Sequence, residues 1–481
     1  MRTKLWRKEV VNTKVLLVNL DLGYPIDIWP TKKQSIGLGY IGAVLETKGH
    51  EVDLLEERFV GKHKIFKVLT EEAYDVAGFS FTGFEMSKSY IEANTLLEAF
   101  NNPVTEAIKL VKSTHPETKI VLGGYSATFW DEEILYLLPV DAICRNEAEI
   151  SILELLSAIE ANTSYTKVSG ISWIKDGKIY RTPVKLPDIE KLPRPLRLPH
   201  EPEDWIMVNT SRGCYNRCTF CSTFASYGEP KGCWWRGRSA SSVVRELEEL
   251  VAQRYRNFQF ADDTFIGSQP ERAKAIAKGI IKRGIDCSLR FDCGSREVKP
   301  EIFELLQKAG LKRVYLGCES GSKKDLQLFR KNTTIEQNIW AVKTLRSLGI
   351  EVNPGLIMFH PLSDVETIED NIRYLDRLGG DPTIFELTSE LIVYKGTPIY
   401  RELSKKGLLN LPLTTYKIVD PLVRWIKEEF FRYANKEYAK IKQILDTPYR
   451  KGDHLRKAVY QQSSEHFQIF KEIVAEAKKQ F

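Results

Sequence analysis

The chain of 481 residues is too long for one ordinary hydrophobic core, so two or three domains are expected. With 43% hydrophobic and 28% charged residues and no long apolar run, the composition is that of a soluble globular protein and excludes a helical membrane span. The formal net charge is only +6, and residues 401–481 carry 17 Lys and Arg against 10 Asp and Glu, so the excess sits in the tail, as a solvated helical face or as a docking place for an anionic substrate or an acidic electron donor. The opening Met1-Arg2-Thr3-Lys4-Leu5-Trp6-Arg7-Lys8 lacks the apolar core of a signal peptide, which points to the cytoplasm. Of the eight cysteines, Cys144, Cys233, Cys287, Cys293 and Cys318 are scattered singly, so a reducing compartment fits better than a disulfide framework.

Residues 14–20 are a short apolar run of the kind that makes a buried parallel strand. Residues 37–45 place apolar side chains at helical spacing up to a stop at Gly49, and residues 50–55 read as the next strand. The alternation continues through strands at 75–80, 119–124 and 140–143, which predicts a doubly wound parallel sheet with ligands at the C-terminal ends of its strands. Those ends carry Ser80-Phe81-Thr82 and Gly123-Gly124-Tyr125-Ser126-Ala127-Thr128: glycines permit close backbone approach and hydroxyls offer hydrogen bonds.

Residues 161–204 read as a connector. Residues 168–180 predict a hairpin with an Asp176-Gly177 turn, and prolines 187, 193, 195 and 199 favour an extended crossing. From Ile206 strands and helices alternate again, with strands ending near Phe260, Asp292, Glu319 and His360 and a sixth over residues 385–391. Beyond residue 400 the pattern turns helical, with Ile426, Phe430 and Tyr433 on one stripe.

The second half begins on Cys214, Cys218 and Cys221, spaced C-x3-C-x2-C. Three thiolates on one tight loop can converge on a single inorganic centre. A zinc site would complete a tetrahedron with a fourth Cys or His, and an electron-transfer cluster usually takes four cysteines. Three ligands on a four-iron cluster leave one iron open for chemistry; a structural zinc or disulfide knot and chance clustering of buried thiols are the alternatives.

This spacing, with Phe220 immediately before the last cysteine, resembles the signature of the radical S-adenosylmethionine (radical SAM) superfamily, and the strand-end loops of the first half resemble the cobalamin-binding domain often fused in front of such barrels. The resemblance implies a Rossmann-like cobalamin-binding domain at 1–160, a hairpin and Pro-rich linker at 161–204, a partial (β/α)6 barrel at 205–400 and a helical C-terminal cap at 401–481 that closes the barrel mouth. It makes Cys214, Cys218 and Cys221 the ligands of a 4Fe-4S cluster. It sets Phe220, the Asp262-Asp263 pair and Glu319 around S-adenosylmethionine, a carboxylate against the ammonium and Glu319 against the ribose hydroxyls; for the aspartates a helix-capping role is the alternative. Ser80, Thr82, Gly123, Gly124 and Tyr125 line the nucleotide tail of cobalamin. The sequence departs from the family twice in the first half: Asp21-Leu22-Gly23-Tyr24-Pro25 stands where D-x-H-x-x-G would follow the first strand, and Asn146 and Ala148 replace the two glycines of R-G-E-G-E. In the second half Phe359, His360 and Leu362 replace glycines of the adenine-binding strand, with His360 open to substrate contact or to an ordinary strand-end role. Cys233 and Cys293 are candidate hydrogen donors or inert buried thiols.

The implied activity is methylation of an unactivated carbon on a small metabolite or natural product; dehydration, epimerisation or cyclisation without methyl transfer is the alternative. The implied partner is a reductant protein such as flavodoxin or ferredoxin, with no nucleic acid and no membrane.

Overall fold

The computed structural model describes residues 13–22, 34–227, 235–380, 382–445 and 462–480, the side chains of 441–445 excepted. The chain divides into two compact units, one built on Gln34–Pro199 with the strand that precedes it, the other on His200–Phe481.

The first unit holds a seven-stranded sheet. Its strands are β1 (Lys14–Asn19), β2 (Glu51–Glu56), β3 (Val76–Ser80), β4 (Lys119–Gly123), β5 (Ala142–Cys144), β6 (Ile171–Lys175) and β7 (Lys178–Arg181), in the order β2-β1-β3-β4-β5-β6-β7. The first five are parallel, as the alternation predicts. Val15, Leu16, Leu17 and Val18 are all buried, because β1 has strands on both sides and helices on both faces. The hairpin is not a free connector: β6 pairs antiparallel with β5 and extends the sheet, with Asp176 at φ 51° and Gly177 at φ 69° in its turn. The proline-rich stretch is also docked. Leu196 N–H donates to Gly39 O at 2.9 Å, and Gln34 Nε2 donates to Leu196 O at 2.7 Å. Glycine is needed at 39 and 42 of helix Ile36–Glu46 for that approach, since a Cβ at either would lie 2.6 Å from an atom of Leu196.

The second unit holds β8 (Trp205–Val208), β9 (Ser211–Gly213), β10 (Trp235–Gly237), β11 (Asn257–Phe260), β12 (Ser288–Gly294), β13 (Leu311–Glu319) and β14 (Glu351–Leu356). Five of them form a parallel sheet in the order β14-β13-β12-β11-β8, and β9 and β10 make a separate antiparallel ribbon. Ile206, Phe258, Phe291, Leu316 and Val352 alternate onto one face, where they pack on the surrounding helices in the main core.

The sixth strand is reduced to one bridge, Phe359 with Glu390. Residues Ile384–Leu387 form a short helix instead, because Thr383 and Glu386 make a capping box, a T-x-x-E signal that outweighs the apolar run. The tail helices Pro421–Leu445 and Ser463–Gln480 pack on each other through Phe430 and Phe470, ring centroids 4.8 Å apart. They then meet Phe359 and helix Val365–Leu378, the latter through Lys471 and Asp376 at 2.6 Å, and so cover the edge beyond β14.

Candidate active site and cofactor loops

The cysteine loop leaves β9 at Gly213, whose φ of 81° turns the chain, and runs through Cys214, Cys218 and Cys221 into helix Ser222–Tyr227. All three thiols are free. Two adjacent carboxylates hold the loop at both ends. Asp263 Oδ2 accepts from Gly213 N–H at 2.9 Å and its Oδ1 accepts from the Thr223 hydroxyl at 2.7 Å. Asp262, fully enclosed, accepts from Thr210 N–H at 2.7 Å, Ser211 N–H at 2.9 Å and the Thr210 hydroxyl. The pair is therefore neither a helix cap nor an idle pair of acids: it registers the loop against the end of β11. The ribbon is pinned by Trp235, whose indole donates to Thr264 O at 3.0 Å in space that only glycine at 267 leaves, a Cβ there lying 2.1 Å from the ring.

Glu319 ends β13 at φ 69°, a left-handed conformation uncommon for a side chain with Cβ, where the register with β14 shifts. Its carboxylate pairs with Lys331 Nζ at 3.1 Å. Gly317 makes room for this pair; a Cβ there would stand 2.9 Å from Glu319 Oε1 and 3.2 Å from Lys331 Nζ. Phe220 packs edge-on against Phe329 at 5.4 Å, and Thr219 N–H donates to Phe329 O at 3.0 Å, so the loop is also tied to the segment that delivers Lys331.

Burial pushes the Cys214 thiol up to about 12 and Cys218 to about 11, the latter against the pull of the Lys331 ammonium, and Cys221 is raised for the same reason. Each of the first two is raised further by neighbouring cysteines, which places the loop's thiols close together. Three such thiols lose their protons to a metal centre rather than to water, so the donor set fits a cluster. Among the described residues no group of three His, Cys, Asp or Glu closes tightly enough around one point to hold a single ion.

Sequence reasoning missed two residues here. Lys331 lies in an ordinary-looking Arg-Lys-Asn stretch, and only the fold brings it to Cys218. Glu297 is buried at the end of β12, accepting from Thr264 Oγ1 at 2.6 Å and Gly294 N–H at 2.8 Å, and its charge acts on Cys214. The capping geometry around Gly294 was its one local signal. His360 turns away from any substrate role: it is fully buried, its Nε2 lies 3.0 Å from Asp325 Oδ1, and its Nδ1 accepts from Leu362 N–H at 3.2 Å. Cys293 is a buried β12 thiol raised well above its ordinary range by burial. Cys233 lies outside the described residues.

In the first unit the strand-end loops lie against one another. Ser80 is the register partner of Gly123, and Gly124, at φ 107°, lies so close to the β3 loop that a Cβ would be 2.3 Å from Thr82 Oγ1. Tyr125 opens the short helix Tyr125–Phe129 beside them. Thr128 Oγ1 donates to Gly124 O at 3.0 Å and accepts from Asn146 N–H at 3.1 Å, which joins the β5 loop to the other two. Asn146 takes φ 63°, a conformation asparagine tolerates, so the loop keeps the backbone form a glycine would give; Ala148 sits at φ −99° and needs no glycine. A buried acid, Glu85, ties two of these loops from below, accepting from Ser126 Oγ at 2.7 Å and Trp130 Nε1 at 2.8 Å; burial raises its carboxyl.

A parallel sheet with glycine- and hydroxyl-rich strand ends, followed by a partial barrel with a three-thiol loop, defines a class. The Radical SAM superfamily profile matches residues 208–375 and the B12 binding domain profile matches residues 31–156. An uncharacterized methyltransferase of Pyrococcus horikoshii is 25% identical over 425 residues, covering 85% of this chain and 87% of that protein. Cytidylyl-2-hydroxyethylphosphonate methyltransferase of Streptomyces wedmorensis is 24% identical, covering 88% and 89%. The structure of the cobalamin-dependent S-adenosylmethionine radical enzyme OxsB with aqua-cobalamin bound superposes with a TM-score of 0.77 at 20% identity, over 97% of this chain and 72% of that one. The chain belongs to the radical SAM enzymes that carry a cobalamin-binding domain. Its cofactors are a 4Fe-4S cluster, S-adenosylmethionine and cobalamin. No described helix is long and apolar enough to cross a membrane.

Proposed function

We propose that this enzyme transfers a methyl group from S-adenosylmethionine to an unactivated carbon of a small molecule. The observation that carries the reading is the presence in one chain of a three-thiol loop, which leaves one iron of a 4Fe-4S cluster open, and of the corrinoid-type loops after β3, β4 and β5. When bound, the cluster and S-adenosylmethionine supply a hydrogen-abstracting radical and cobalamin supplies a methyl carrier. The relatives named as methyltransferases support the assignment.

The chain's own residues divide the work. Cys214, Cys218 and Cys221 hold the cluster, and Asp262 and Asp263 fix the loop on which they sit. Glu319 and Phe220 border the nucleoside of S-adenosylmethionine, with Lys331 setting the Glu319 carboxylate. Ser80, Thr82, Gly123, Gly124 and Tyr125 take the tail of the corrinoid. A small reductant protein of the flavodoxin or ferredoxin kind delivers electrons to the cluster.

The deciding experiment is anaerobic reconstitution with cobalamin and methyl-labelled S-adenosylmethionine. Transfer of the intact label, with both deoxyadenosine and S-adenosylhomocysteine formed, is expected. A converted product without label and without S-adenosylhomocysteine would remove methyl transfer and leave a radical enzyme of another outcome. Full deoxyadenosine formation by Cys218→Ala would remove the cluster assignment itself.

A further inference from the structure

The side of the five-stranded sheet opposite its helical core is not an apolar interior. Parallel register places three rows across it. The first is Met207, Gln259, Arg290, Arg313 and Glu351; the next is Asp292, Tyr315 and Asn353; the last, toward the strand ends, is Gly294, Gly317 and Gly355. None of these positions is Val, Ile, Leu or Phe, the residues that ordinarily fill the inside of a parallel barrel.

The first row satisfies itself. Arg290 donates to Gln259 Oε1 at 2.7 Å and lies 4.2 Å from the Trp205 ring centroid, and Arg313 pairs with Glu351 at 3.0 Å. That row is a polar floor with one more cation than anion, its side chains engaged with one another. The glycine row gives room to the side chains beside it: at 355 a Cβ would be 2.3 Å from the Tyr315 hydroxyl, and at 317 it would be 2.9 Å from Glu319 Oε1. The middle row is different. Tyr315 keeps 43% of its surface accessible, although the surrounding protein pushes its phenol well above the ordinary range. Neither its hydroxyl nor the Asn353 amide hydrogen-bonds to the chain among the described residues, so both have donors and acceptors to offer.

We infer that the substrate is a polar small molecule bearing several hydrogen-bonding groups, received on this face by Tyr315 and Asn353, and not a lipid. An apolar body placed there would strip water from Tyr315 and Asn353 without returning hydrogen bonds, whereas hydroxyl, amide or amine groups replace that water. The inference rests on the proposed radical reading for the location of the substrate, but not on the fate of the methyl group.

The test uses the full-length enzyme, reconstituted anaerobically with iron, sulfide and cobalamin and given reductant and methyl-labelled S-adenosylmethionine. The probes are the water-soluble fraction and the organic-solvent fraction of an extract from cells lacking the enzyme. The water-soluble fraction is expected to accelerate deoxyadenosine formation. Tyr315→Phe and Asn353→Leu are expected to raise the half-saturating amount of that fraction by about tenfold, with iron content unchanged. Acceleration by the organic fraction, by neither fraction, or by the water-soluble fraction with both variants unaffected overturns the inference. Acceleration by the water-soluble fraction with no label in any product leaves the polar substrate standing and removes the methyltransferase reading alone.

Discussion

The Lys331 ammonium stands 3.1 Å from the Glu319 carboxylate, with both side chains only 12% exposed, in a gap that exists because residue 317 is glycine. Removing one member of a buried pair leaves the other charge without compensation, which typically costs about 3–5 kcal/mol. Lys331→Met is therefore expected to destabilise the second unit by about that amount, and Glu319→Gln added to it to recover a large part. Urea unfolding of the two single variants and the double variant measures the coupling; a loss well under 1 kcal/mol for Lys331→Met would mean that the pair is not held as described.

Asp263 touches the cysteine loop on both sides, through Gly213 N–H and the Thr223 hydroxyl. Asp263→Ala removes both charge-assisted bonds, and Asp263→Asn keeps an acceptor for one. After reconstitution and desalting, the expected order of iron retained is wild type, then Asn, then Ala, with Ala lowered about tenfold. Equal iron in all three would show that the loop is organised without Asp263.

Much of this was legible in the sequence, for identifiable reasons. The strands of the first sheet are apolar runs bounded by turn signals, and the cysteine spacing is a local pattern that survives without tertiary knowledge. What was hidden depends on distance in the chain. Thr210 and Asp262 are 52 positions apart and Cys218 and Lys331 113 apart in sequence, so neither relationship has a local pattern. The hairpin Ile171–Arg181 was predicted as an element, but its pairing with β5 is set by the exposed edge of β5 and not by its own residues. The sixth strand failed because the capping box at Thr383 and Glu386 competes with apolar patterning.

Glu56 closes the end of β2 in the first unit. Its carboxyl is fully buried, accepts from Asn19 Nδ2 and Ser35 N–H, each at 2.7 Å, and is pushed by burial to about 7 from its ordinary 4.5. Because the folded state holds the proton more tightly, the stabilising contribution is complete below about pH 4.5 and is lost as pH rises through 7, a change of about 3 kcal/mol. Glu56→Gln keeps the shape without the ionisation, and the Asn19 amide turns to meet its NH2. The variant is expected to be more stable than wild type at pH 8 and to lose that advantage near pH 5, as read by thermal unfolding at both pH values. An advantage that does not change with pH would refute the assignment.

Gly124 carries the closest approach between the loops after β3 and β4. Alanine there adds a Cβ 2.3 Å from Thr82 Oγ1 and 2.8 Å from Phe81 O, at a φ of 107° that alanine resists. The two loops must part, so Gly124→Ala is expected to lower cobalamin retained through gel filtration by about tenfold while iron content stays at the wild-type level. Loss of both cofactors together would indicate general unfolding and not a local effect on the corrinoid loops.

The last prediction concerns the lower face of the corrinoid. The resemblance puts a cobalt-binding histidine in the segment after β1, and there Asp21 stands, its N–H donating to Glu57 Oε2 at 2.9 Å and its carboxylate 3.3 Å from Arg58. The first unit's histidines are elsewhere. His50 precedes β2 and lies 3.6 Å from Glu160, His63 is on helix Lys62–Glu71, and His115 follows helix Pro103–Thr114 with its Nε2 3.1 Å from Thr70 O. No histidine occurs between β1 and helix Ile36–Glu46, so cobalamin is expected to bind without imidazole from below. Electron paramagnetic resonance of the reduced, cobalt(II) form decides this when the protein is prepared with ordinary nitrogen and with nitrogen-15. Identical spectra are expected, since no protein nitrogen couples to the metal; a hyperfine pattern that changes with the isotope would place a protein nitrogen on cobalt and overturn the expectation.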